Sequence, residues 1–187
     1  FVLTCDVAAM AILLVFSILS GRVLLTEDYG LFMTILAVLT VTHSLGSGIK
    51  LAYAKRVLFS VQKSRDTKFS ILDYRHPFTF GILLSGMAVI LVLLIQSYIG
   101  IKSIWTVILM GFNLPFIFIY SANMGLMQGF GHFEKYGKSV LIHAGARLAL
   151  SSLTVLYSGS VTGLMLGVTL GTIFSTTLSF WFCRRHI

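Results

Sequence analysis

Residues 139–157 read SVLIHAGARLALSSLTVLY. The stretch is mostly apolar and long enough to cross a bilayer. It nevertheless carries His143 and Arg147 one helical turn apart, followed by Ser151 and Thr154 at similar spacing. One face of a membrane helix is therefore polar. An arginine near the middle of such a helix costs at least about 2.5 kcal/mol on insertion scales. A chain that keeps one sets it against a water-filled cavity or a paired partner, so the rest of the sequence has to supply one of the two.

Of the 187 residues, 57% are hydrophobic and 11% are charged, against roughly half and a quarter in soluble domains. This composition belongs to an all-α, polytopic membrane protein. Five more stretches have the length and character of a span: 2–19, 31–54, 78–98, 104–126 and 161–182. With 139–157 they make residues 1–187 a single six-transmembrane-helix bundle. The chain opens on Phe1 rather than Met, which reads as a fragment or a renumbered chain. Its first apolar run has no basic flank and no small-residue cleavage site, so it reads as a helix and not as a signal peptide.

The net charge of +8 is not the mark of a nucleic-acid binder in so apolar a chain. Lys50, Lys55, Arg56, Lys63, Arg65, Lys68 and Arg75 lie around the second connection, Lys135 and Lys138 in the fourth, and Arg184 and Arg185 after the last span. The opposite side has only Arg22 and Lys102. Lysine and arginine collect on the cytoplasmic side, which puts both ends of the chain in the cytoplasm. The basic stretch 55–77 mixes Val57, Leu58, Val61, Phe69, Ile71 and Leu72 with its charges. It reads either as an interfacial segment on anionic lipid or as a solvated loop that fixes orientation. Pro77 suits the first turn of the third helix.

Several spans carry polar groups. His43, Gly46, Ser47 and Lys50 share a face of the second, and Asn113 and Tyr120 a face of the fourth, with Asn123 a quarter turn away. The sixth has Thr169, Thr172 and Thr176, and the third is apolar apart from Ser85 and Gln96. The functional reading sets helices two, four and five around a hydrated, cationic cavity for an anionic, phosphate-bearing lipid or sugar. Its substrate-binding candidates are Arg147, His143, His43, Lys50, Asn113 and Asn123, with arginine favoured for its bidentate fork. Each has a plainer reading. Lys50 snorkels to the interface, the histidines are neutral packing residues, the asparagines are interhelical glue, and Arg147 pairs with Asp6. Asp6 itself is a cation or proton site, or an interfacial residue at a helix start. Gly163, Gly167 and Gly171 form a close-packing stripe, and Pro115 bends the fourth helix to shape a cavity or a hinge.

No hydrolase, zinc-protease or phosphate-loop motif occurs, and no helix face pairs two acids. Cys5 and Cys183 lack metal-ligand spacing. The chain reads as a non-enzyme without a cofactor or metal.

The turn Gly21-Arg22-Val23-Leu24-Leu25-Thr26-Glu27-Asp28-Tyr29-Gly30-Leu31-Phe32 resembles the "R-x-L-G-P-E-E-Y-G-L-F" turn of polysaccharide exporters. These are the Wzx-type flippases of the multidrug/oligosaccharidyl-lipid/polysaccharide (MOP) superfamily. Residues 44–56 are similar to the "D-x-G-L…R" ending of their second helix, and 125–133 resemble their "L-Q-G-x-x-R-F" turn. Thr26 stands where the family has proline, the acid before the glycine of helix two is missing, and His132 sits near the usual basic position. The resemblance implies one six-helix lobe, the N-terminal one of two, in the inner (plasma) membrane. Its partners would be the bilayer, a lipid-linked anionic saccharide, and a missing second lobe or a second copy. It implies export of lipid-linked oligosaccharide by alternating access, with Arg147 on the phosphate and His143 assisting. Two rival readings are a cation-coupled antiporter of small organic molecules and a non-transporting accessory subunit of a membrane glycan synthase.

Overall fold

The computed structural model describes residues 1–62, 74–99 and 103–184. Six helices account for nearly all of them: α1 (Val2–Val23), α2 (Thr26–Gln62), α3 (Arg75–Ile99), α4 (Ile104–Gly129), α5 (Phe133–Ser158) and α6 (Val161–Cys183). No strand occurs among the described residues. Each helix is long and apolar enough to cross a membrane, and the chain is a multi-pass, all-helical membrane protein.

α4 and α6 pack together at the centre. α2 and α3 flank α4, α5 lies along α6, and α1 packs on α5. Round the bundle the order is α1, α5, α6, α4, α2, with α3 outside α4. α1 and α2 are the two ends of this arc and scarcely touch each other. The apolar α3 turns much of its surface outward: Ile82, Leu83, Met87, Ile90, Leu91 and Leu94 are exposed, as suits a surface bathed in acyl chains.

Lipid offers no hydrophobic force between helices, so close approach at small residues holds them together. The glycine stripe of α6 faces α5. A Cβ on Gly171 would stand 2.8 Å from the Cα of Arg147, and one on Gly167 would collide with Ser151 and Thr154. Gly125 and Gly129 of α4 receive α2 in the same way. A Cβ at Gly129 would lie 2.7 Å from that of Val57, and one at Gly125 would lie 2.9 Å from that of Tyr53. Pro115 is buried inside α4, and Gly81 of α3 presses on it, so that a Cβ there would be 2.6 Å from the Pro115 Cα.

The largest departures from the expected boundaries fall at three places. The break after α1 is only Leu24 and Leu25, not the whole turn 21–30, because Glu27 and Asp28 complement the positive end of a new helix. α2 continues past residue 54 to Gln62, about 55 Å in all, because Tyr53, Ala54 and Val57 are buried with Gly125 and Gly129 beneath them. The basic stretch therefore starts as packed helix, and its residues 63–73 lie outside the described residues. α5 begins at Phe133 rather than 139, with Glu134 in its first turn bonded to Lys138. Pro77 does fall in the first turn of α3. Lys55, Arg56, Arg75, Lys135, Lys138 and Arg184 share the end at which α1 starts and α6 stops, and Arg22 sits at the other.

A cationic cavity between four helices

A cavity of about 580 Å³ lies in the arc between α1 and α2, with α4 and α5 as its back wall. Following α5 inward from the basic end, Tyr136, Val140, His143, Ala144 and Arg147 line it in turn. These are the inward positions of successive turns. α2 runs the other way and contributes Lys50, Ser47 and His43 at matching depths, then Thr40, Ala37, Leu36 and Met33. α4 supplies Tyr120, Ser121 and Met124, and α1 supplies Ala9, Leu13, Phe16 and Ser17.

At the mouth, the Lys50 ammonium donates to the Tyr136 hydroxyl at 3.3 Å and lies 5.6 Å from the ring centre. It is held across the cavity and does not simply snorkel outward. One layer deeper, His43 and His143 meet edge to face with ring centres 5.7 Å apart, and Tyr120 stacks on His143 at 4.4 Å. Ser175 of α6 fixes the His143 ring through Nδ1 at 2.7 Å, while Nε2 is buried without a hydrogen-bond partner. The Tyr120 hydroxyl donates to the Ser139 carbonyl at 3.2 Å.

Arg147 is only 6% exposed, and its Nε has no hydrogen-bond partner. No carboxylate among the described residues lies within ion-pair distance of it. The alternative pairing with Asp6 is not formed. The cavity lining contains no aspartate or glutamate at all. A fixed cation therefore faces the cavity. At an effective dielectric of 20, a unit anion 4 Å away would gain about 4 kcal/mol of attraction. The buried Arg147 Nε–H is a donor awaiting an acceptor, and the His143 Nε2 is a buried ring nitrogen without a partner. Such orphaned groups cost free energy and favour whatever satisfies them.

Four of the six candidate residues, Arg147, His143, His43 and Lys50, thus come together. Asn113 and Asn123 do not line the cavity. Asn123 accepts from the Tyr74 hydroxyl at 2.6 Å and donates to Ser179 Oγ at 2.8 Å, tying the start of α3 to α6. It serves as interhelical glue. Asn113 is buried with its Oδ1 unpartnered. The polar face of α5 also divides: Ser151 and Thr154 turn to the α6 glycines instead of the cavity. Thr169 and Thr176 donate to the α4 carbonyls of Leu109 and Phe116, at 3.3 and 3.2 Å.

Sequence reasoning missed Tyr136, Ser175 and the whole contribution of α1. Tyr136 lay before the expected start of its helix, and the α1 lining is almost all apolar. His132, in the connection before α5, has its proton affinity lowered by desolvation and then by Lys135, so it is a weak stand-in for a basic residue there. No family model, curated protein or solved structure matches this chain.

Proposed function

We propose that this chain is one lobe of a flippase for lipid-linked, anionic saccharides, of the polysaccharide-exporter type within the MOP superfamily. The observation that carries the reading is Arg147, a buried guanidinium without a counter-ion that faces a cavity large enough for a substrate headgroup. A phosphate group would accept from Arg147, with the His143 ring beside it and Lys50 and Tyr136 at the mouth drawing the anion in. The basic end would be cytoplasmic by the positive-inside rule, so the cavity would load from the side where such precursors are assembled.

A transporter of this type alternates access by moving two halves around a shared site. The arc of helices is consistent with half of that device, since α1 and α2 leave the cavity uncovered between them. A second lobe or a second copy would close it. The antiporter reading calls for an acidic cation site, and the lining has none. The role of this chain is transport, and no covalent chemistry is assigned to any residue.

The test is removal of the gene from the cell that carries it. The expected result is lost surface glycan with its lipid-linked precursor held in the cytoplasmic leaflet, and recovery when the gene is returned. Unchanged surface glycan, or loss of precursor synthesis itself, contradicts the reading.

A further inference from the structure

The last three turns of α2 are more than the end of a span. About 20 residues fill the hydrocarbon core of a bilayer, and residues 31–50 supply them. The helix runs on to Gln62, so residues 51–62 add about 18 Å at the basic end of the bundle. That length carries them through the headgroup layer, which is roughly 5–8 Å deep on each side. Tyr53, Ala54 and Val57 are buried, with α4 beneath them at Gly125 and Gly129. On the opposite side Leu51, Ala52, Lys55, Arg56, Leu58 and Phe59 are exposed. The 3.6-residue period puts all six on one face. Lys55 has Leu51 and Phe59 one turn to either side, and Arg56 lies between Ala52 and Phe59. Leu51, Leu58 and Phe59 are 54, 56 and 65% exposed.

A face turned to water gains nothing from three large apolar side chains. A face sunk in hydrocarbon does not carry two cations beside them. The boundary between headgroups and chains suits both kinds of residue. We propose that this face binds acidic phospholipid, with Lys55 and Arg56 on the headgroup and Leu51, Leu58 and Phe59 against its glycerol and upper chains. Neither cation lines the cavity, so the site is separate from the one above and does not depend on the transport reading. Charge favours an anion here. Arg75, Lys135, Lys138 and Arg184 share this end of the bundle. Its described acids are Asp6 and Glu134, and Glu134 is bonded to Lys138. The apolar flank selects lipid over a soluble phosphate. Each lysine or arginine near an anionic membrane surface is worth about fivefold in affinity. The attraction fades within a Debye length, about 8 Å at physiological salt, so the lipid that is held is the lipid in contact with this face.

The test uses the full chain in phosphatidylcholine vesicles, with quenching of tryptophan by chain-brominated lipid as a local readout. The native tryptophans are Trp105 and Trp181, and Trp105 is exposed at the opposite end of the bundle. One protein keeps Trp105 alone through Trp181→Phe. The other carries Trp105→Phe, Trp181→Phe and Ala52→Trp, which sets the reporter on the proposed face and leaves its cations in place. Brominated phosphatidylglycerol is compared with brominated phosphatidylcholine at the same fraction. At position 52 phosphatidylglycerol is expected to be preferred at least about fivefold, and at Trp105 not at all. Lys55→Gln with Arg56→Gln should remove most of the preference. Salt at about 1 M, where the Debye length is ~3 Å, should reduce it on the intact face and serves if the double substitution prevents insertion. No preference at position 52, an equal preference at Trp105, or a preference that survives both the substitutions and the salt would overturn the site. Quenching by neither lipid at position 52 would put the face in water, open to a soluble acidic partner, and would overturn it too.

Discussion

Arg147→Met is expected to lower glycan export by at least about tenfold while making the protein more stable. The two halves of this result have one cause. Arg147 has no counter-ion among the described residues, and its Nε has no hydrogen-bond partner. A charge deep in a membrane helix costs about 2.5–3.5 kcal/mol on insertion scales. Methionine keeps the straight stem and removes that cost, so the thermal unfolding midpoint in detergent should rise. What is lost is a charge-assisted contact to the substrate, worth about 1.5–3 kcal/mol, or ten- to a hundred-fold in affinity. Arg147→Lys should recover only part of the activity, because an ammonium cannot offer the planar fork. A residue held for packing alone would behave in the opposite way, with stability falling and export tracking the amount of folded protein. Export assays, and unfolding curves on detergent extracts of the same membranes, separate the two outcomes.

The second large effect is at Gly171. A Cβ there would stand 2.8 Å from the Arg147 Cα and 2.9 Å from its nitrogen. Those atoms are backbone, so they yield only if α5 moves bodily. Gly171→Ala should therefore destabilise by about 2 kcal/mol, in the range of overpacked cores, and displace the guanidinium from the cavity. Gly145 provides the control on α5 itself. A Cβ at that position meets nothing within 4 Å, and Gly145→Ala should stabilise by up to about 1 kcal/mol, through helix propensity alone. Reversible unfolding in mixed micelles measures both. Equal effects at the two glycines would contradict the packing described for α5 and α6.

These positions also show what the sequence could convey. The glycine stripe at 163, 167 and 171 was visible as a close-packing face, and it is one. What no spacing rule said was which helix it would meet, and so which polar residues it would take out of the cavity. The 3.6-residue period correctly set His143, Arg147 and Ser151 on neighbouring parts of α5. A helix surface is wider than one neighbour, however, so that face was shared between the cavity and α6. Asn123 lies off the cavity for a related reason, since a polar side chain in a central helix has several partners within reach. Asn123 found Tyr74 and Ser179.

The extent of α2 was missed although its signal was present. Gly125 and Gly129 are one turn apart on α4, and Tyr53 and Val57 keep the same spacing across from them. Taken together, the two pairs mark a helix contact that continues into the basic stretch. The α1 wall had no signal of its own, because Ala9, Leu13 and Phe16 would read alike facing lipid, protein or a ligand chain.

The central claim is that the cavity is hydrated and positive because of Arg147. It is tested most directly by a cysteine at Ser47, a cavity-lining position between His43 and Lys50, in a background with Cys5 and Cys183 replaced. Reaction rates are measured with an anionic and a cationic methanethiosulfonate of similar size. The account predicts that Ser47→Cys reacts several-fold faster with the anionic reagent, and that adding Arg147→Gln removes most of this preference. A cysteine that does not react, or a preference for the cationic reagent that ignores Arg147, would contradict it.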